Sequence, residues 1–230
     1  PLPDALVRLL VAAGDPLAAD PKALAERVKV VPAAYHLPLA RLVLGQDAPL
    51  DEVVAASMAG ERVFHGEPSG LDSRVAAQGG VLRFVRGAPA EAIALAGPLP
   101  LVLIPSGIPR STAIQVAKVR ARLERLPSII RPVLGALAAA VDAGIAALAR
   151  DDLDALGEIF NVAHALLGSI DVSTPVLDAL QAATLAAGAR GAKLTGAGGG
   201  GSLLVLPADD PVPLLDAFRI YTPLAVEVQP

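Results

Sequence analysis

Apolar and polar residues along this 230-residue chain alternate in a way that lays out helices and short strands. Residues 4–13, "DALVRLLVAA", place apolar side chains at helical intervals and stop at Gly14. "ERVKVV" (26–31) alternates as a strand and ends at Pro32. "LPLARLVLG" (37–45) predicts a helix closing on Gly45. "LDEVVAASMAGERVFHG" (50–66) predicts another, with Asp51 and Glu52 in its first turn, where the helix dipole favours negative charge. "GGVLRFV" (79–85) reads as a strand.

Past Gly97 the texture changes. "PLVLIPSG" (100–107) is a nearly continuous apolar strand, and "STAIQVAKVRARLERL" (111–126) a helix opened by Ser or Thr. Further helices are predicted near 133–149, 151–167 and 175–187. Strand "SLLVL" (202–206), helix "PVPLLDAFR" (211–219) and strand "LAVEVQ" (224–229) close the chain. Few strand–helix–strand units repeat regularly, which favours an α+β fold over a doubly wound one. The expected domains are 1–97 and 98–230.

Composition narrows the function classes. Apolar residues make up 53% of the chain and mean hydropathy is +0.56, which opposes disorder. Aromatics are only 3%, too few for stacking on single-stranded nucleic acid. The net charge of −4 without a basic block also opposes a nucleic-acid surface. With no cysteine there is no disulfide, no thiolate zinc and no Cys nucleophile. The longest apolar run, Val133 to Ala149, is interrupted by Asp142 and is shorter than the roughly 20 residues of a membrane span, so a buried helix is expected. No membrane partner and a cytoplasmic setting are the corresponding expectations.

"AKLTGAGGGGSLLVL" (192–206) has the composition of a phosphate loop. A P-loop needs its Lys inside the loop and a helix after it, whereas Lys193 precedes the glycines and a strand follows. The pattern G-x-G-x-x-G, matched at Gly196, Gly198 and Gly201, should also open a helix. Both familiar nucleotide loops fail on context. What remains is tight backbone geometry, in which main chain approaches a ligand or another segment closely.

A second stretch, "GERVFHGEPSGLDSRVAAQGG" (60–80), gathers Glu61, His65, Glu67, Ser69 and Asp72. Glu61 and His65 share a face if the helix continues that far. Pro68-Ser69-Gly70 forces a turn that presents Asp72 at the start of the next element. A Glu and an Asp separated by a turn suit magnesium binding and a base, although charged turns are usually only solvated.

These residues carry a resemblance. "ERVFHGEPSGLD" followed by Gly79-Gly80 resembles the signature of the mevalonate kinases in the GHMP kinase superfamily, and "KLTGAGGGGS" resembles the C-terminal glycine motif of that superfamily. "IPRSTAIQVAKVR" (108–120) looks like the V-P-R-[NS]-T segment. "FNVAHALLGSIDVSTPVLDAL" (160–180) is similar to the family helix, here with Asn161, Leu166 and Leu167.

The resemblance implies a two-domain fold, the N-terminal part like ribosomal protein S5 domain 2 and the C-terminal domain ferredoxin-like. It implies ATP and Mg²⁺ as cofactors, mevalonate as substrate and transfer of a phosphoryl group to its 5-hydroxyl. Asp72 matches the acid that orients the hydroxyl proton, and Glu61 the carboxylate that holds Mg²⁺. His65, Ser69 and Thr112 match positions around the substrate. Thr195, Gly196, Ala197, Gly198 and Gly199 belong to the motif that contacts ATP or shapes the site. His36 and His164 match no motif and are expected to be structural, and Lys193 is a neighbour of the site. The resemblance is compatible with a homodimer, although the sequence alone assigns no oligomeric state.

Two family features are absent: an N-terminal lysine with a G-E-H segment, and an ATP loop of the form P-x-x-x-G-L-G-S-S. The position of that loop reads "VVPAAYHLPLA" (30–40), without glycine or serine. Ser73 stands where Asn is usual. The expectation is a longer kinase of which this sequence is a subset. The alternatives are another GHMP kinase, such as one acting on phosphomevalonate, and a non-catalytic protein of the same fold.

Overall fold

The computed structural model describes residues 44–45, 47–65, 71–85 and 88–230. The chain divides into two units, one ending at Ile93 and the other running Ala94–Pro230.

In the first unit Gly45 takes φ +98°, the left-handed residue that ends a helix, where the sequence placed one. The rest of that helix, the segment 30–40 and His36 lie outside the described residues. Helix α1 (Leu50–His65) carries Asp51 and Glu52 in its first turn, and α2 is Leu71–Gln78. The two helices meet through a buried hydrogen bond between the Ser57 and Ser73 hydroxyls, 3.0 Å, beside buried Val53 and Val54. Arg74 Nη1 donates to Asp51 at 2.7 Å. Ser73 is therefore a helix-packing residue. Short strands β1 (Val81–Arg83) and β2 (Glu91–Ile93) pair antiparallel.

The second unit opens with β3 (Leu99–Pro105), held at its approach by Ala96 N–H donating to Leu148 O at 3.2 Å. Four helices follow: α3 (Thr112–Arg125), α4 (Pro127–Leu148), α5 (Leu153–Ser169) and α6 (Pro175–Ala186). Asp152 caps α5 through Ala155 N–H, and Thr174 caps α6 through Leu177 N–H. Then come β4 (Gly191–Leu194), β5 (Ser202–Leu206), α7 (Val212–Ala217), a 3₁₀ turn and β6 (Leu224–Val228).

The sheet order is β4-β5-β3-β6, antiparallel throughout. Counted within the unit, the first and third strands lie at the centre, flanked by the second and fourth. That is the ferredoxin-like split β-α-β arrangement, with four helices in its first crossover. One sheet face buries Val102, Ile104, Ala192, Leu203 and Val205 against Leu180, Leu214 and Phe218. A second cluster joins Ile130, Ile170, Val172, Leu177 and Leu194. Each such Leu, Ile or Val contributes about 2 kcal/mol by leaving water.

Helix α4 corrects two expectations. It starts at Pro127, with Pro at its first position, and carries Pro132 inside, so it begins six residues before the expected 133. Nor is it a buried helix. Only Ile130, Gly144 and Ala147 are fully buried, while Ile129 and Val141 are 59% and 53% exposed. Arg131 and Asp142 are its only charged residues, and with alanine and other apolar residues filling most other positions the outer face is only weakly marked. Among the described residues it is the one helix long and apolar enough, by length and composition only, to cross a membrane.

Candidate functional site

The glycine run forms the turn from Thr195 to Gly201 between β4 and β5, and its neighbours explain its composition. Thr195 N–H donates to Ser202 O (3.1 Å), Gly199 N–H to Val172 O (2.8 Å) and Gly201 N–H to Ile108 O (3.0 Å). Ser106 N–H in turn donates to Gly201 O at 2.7 Å. The turn is thus tied to the end of β3 and to the segment after α5. The approach is too close for side chains. A Cβ on Gly198 (φ +77°) would overlap the Val172 carbonyl oxygen, and one on Gly200 (φ +136°) would lie 2.5 Å from the Ile108 carbonyl oxygen. Packing against backbone demands these glycines. The N–H groups of Gly196, Ala197, Gly198 and Gly200 donate to no acceptor among the described residues.

The strand leading into the turn is aligned by α5. β4 is an edge strand, so its outward N–H groups need acceptors from outside the sheet. Asn161 Oδ1 accepts from Ala192 N–H and His164 Nδ1 from Leu194 N–H, both at 3.0 Å. With Nδ1 accepting, His164 Nε2 carries the proton and donates to Asp178 Oδ1 at 3.1 Å, where Ser173 Oγ also donates at 2.5 Å. Close approach of α5 is possible because Gly157 and Gly191 meet backbone to backbone. Gly157, Asn161 and His164 form one stripe of α5, so His164 is structural, as its lack of a motif suggested. The spacing Gly-x-x-x-Asn-x-x-His carried that signal.

Two residues that the sequence reading did not single out flank the turn. Arg110 Nη1 donates to Thr195 O at 2.7 Å, and its guanidinium fills the space beside Gly196 and Gly201. Gln115, in the first turn of α3, lies against Gly199. Thr112 opens α3 and is exposed, while Ser111, the N-cap, makes no side-chain capping bond. Lys193 donates to Leu194 O at 3.0 Å and stands 5.9 Å from the Phe160 ring centre. Burial lowers the pKa of its ammonium.

In the first unit, Glu61 and His65 lie on α1, which does continue that far, and Asp72 is the second residue of α2. The backbone therefore places Asp72 at a helix start, while the turn expected at Pro68-Ser69-Gly70 lies outside the described residues. The side chains of Glu61, His65 and Asp72, and Ser69 as a whole, lie outside the described residues. Among the described residues no group of three metal-ligating side chains occurs. Glu61 and Asp72 supply hard oxygen donors of the class Mg²⁺ takes.

With this geometry in place, the likeness to known proteins is specific. Residues 145–221, from late α4 through the turn to the 3₁₀ segment, match the family model described as GHMP kinases C terminal. L. major mevalonate kinase in complex with R-mevalonate superposes with a TM-score of 0.78 at 29% identity, covering 86% of this chain and 65% of that one. The fold is that of a GHMP kinase. The chain is homologous to mevalonate kinases: it is 37% identical over 174 residues to the Pyrococcus horikoshii enzyme, covering 71% of this chain and 50% of that protein. Against the Mus musculus enzyme it is 37% identical over 154 residues, 64% of this chain and 38% of that one. This GHMP kinase homologue spans about half the length of the archaeal relatives it matches.

Proposed function

We propose that the chain is part of a cytoplasmic, ATP-dependent kinase that transfers a phosphoryl group to the 5-hydroxyl of mevalonate. The observation that carries this reading is the superposition on a mevalonate kinase holding R-mevalonate, at 29% identity over 86% of the chain. The string "HGEPSGLD" (65–72) supports mevalonate as the acceptor.

Phosphoryl transfer asks a protein for positioning and charge neutralisation more than for covalent chemistry. Asp72, at the start of α2, orients the attacking hydroxyl and takes its proton. Glu61 would hold the magnesium ion, which neutralises charge on the transferring phosphoryl group. His65, Ser69 and Thr112 position the alcohol. Thr195 and Gly199 N–H are taken by Ser202 O and Val172 O, which fixes the turn, while the N–H groups of Gly196, Ala197 and Gly198 remain to contact ATP.

The test is ADP release by the full-length protein with (R)-mevalonate and, separately, with phosphomevalonate. Turnover with mevalonate is expected, and Asp72→Asn should lower kcat by about a thousand-fold. Absence of turnover and of mevalonate binding would remove the reading, and turnover with phosphomevalonate alone would reassign the acceptor.

A further inference from the structure

Near its start, helix α3 reverses the usual order of inside and outside. It exposes Ile114 (58%) and Val116 (51%) and buries the polar residue between them, Gln115 (8%). The Gln115 Oε1 is buried without a hydrogen-bond partner among the described residues. An apolar side chain of the same size would avoid that cost, so a carboxamide here does not serve stability. Its placement says what it faces: a Cβ on Gly199 would overlap the Gln115 amide nitrogen, so the carboxamide lies against the glycine turn.

The surroundings are rich in donors and short of acceptors. The N-terminus of α3 has no acidic residue in its first turn and no side-chain cap from Ser111, so its leading N–H groups have no acceptor among the described residues. Among the described residues Arg110 donates only to Thr195 O, which leaves its other N–H groups available there. Gly196, Ala197, Gly198 and Gly200 add unpaired backbone N–H groups. A purely anionic ligand would satisfy these donors and leave Oε1 stranded. A ligand with an anionic group and a hydroxyl satisfies both.

We propose that Gln115 is a specificity residue for the phosphoryl acceptor, its Oε1 accepting a hydrogen bond from a hydroxyl of a small hydroxylated anion held at the start of α3 beside Arg110. This rests on the kinase reading above and adds a residue to the site.

The experiment uses the full-length protein, with steady-state kinetics in which (R)-mevalonate and ATP are varied separately, and thermal unfolding of each variant. Gln115→Met removes the acceptor and keeps the volume. It should melt no lower than the parent and raise KM for mevalonate about ten-fold. KM for ATP should stay within about two-fold. Gln115→Glu keeps an acceptor oxygen but adds a buried negative charge beside the anion, so it should raise the mevalonate KM at least as much. An unchanged mevalonate KM in Gln115→Met, with turnover intact in the parent, overturns the inference and leaves the kinase reading standing. A rise confined to the ATP KM also overturns it. A parent that neither binds nor phosphorylates mevalonate overturns both.

Discussion

Gly198 and Gly135 differ in what a methyl group would meet. At Gly198 it would strike the Val172 carbonyl oxygen, with φ at +77° adding a conformational cost. At Gly135, on the exposed side of α4, nothing lies within 4 Å and the backbone is helical. Gly198→Ala is therefore expected to destabilise by about 2 kcal/mol or more, and Gly135→Ala to stabilise by up to about 1 kcal/mol. Urea denaturation midpoints of the two variants check this directly. Lys193 supplies a pH test at the same scale. Its pKa is lowered by burial, so the unfolded chain binds more protons here than the folded one, and stability from this residue rises with pH up to its ordinary value near 10.5. Lys193→Met should raise the denaturation midpoint at pH 7, with the advantage shrinking as pH climbs towards 10. An advantage independent of pH would show that burial of the ammonium is not the cause.

At the scale of elements, the register of the glycine turn depends on an edge strand finished by side chains. Removing either acceptor on α5 strands a buried backbone N–H, so Asn161→Ala and His164→Ala should each cost about 1–3 kcal/mol. Because both hold the same strand, the double variant should cost less than the sum. Thermal unfolding gives the energies, and faster amide exchange at Ala192 and Leu194 would localise them. This layer of the structure was only partly legible beforehand. α1, β3, α3 and β5 followed from apolar spacing, because each has one wet and one dry side or a short continuous run. The residues of β4 were merged with the glycines, since four residues are too few to show a period. α4 misled because alanine on every face hides which face is wet. At the site, the side chains of Glu61 and Asp72 lie outside the described residues, while motif strings singled out the turn, and also Thr112 on the helix that carries Gln115 against it. Arg110, Gln115 and Val172 were missed as its partners because they meet it only through folding: they lie 20 to 90 residues away and no local pattern links them to it.

For the molecule as a whole, the two units differ in how complete each is among the described residues. Ala94–Pro230 contains both hydrophobic clusters, the entire four-stranded sheet and the turn with its backbone partners Ser106, Ile108, Val172 and Ser202. Its central strands β3 and β5 are paired on both sides, so sheet formation requires no strand from elsewhere. A segment that closes its own hydrogen bonding and buries its own core can fold by itself. Residues 94–230 expressed alone are therefore expected to give a dispersed amide NMR spectrum and a single cooperative urea transition, followed by far-UV circular dichroism and by emission from Tyr221, the unit's one tyrosine. The glycine turn should be intact in that fragment, with Gly199 and Gly201 amides protected from exchange and those of Gly196 and Gly198 exchanging freely. The kinase reading, by contrast, places Asp72 and Glu61 in the other unit, so the fragment should have no phosphoryl-transfer activity. A collapsed spectrum without dispersion would mean that the C-terminal unit needs the rest of the chain to complete its core.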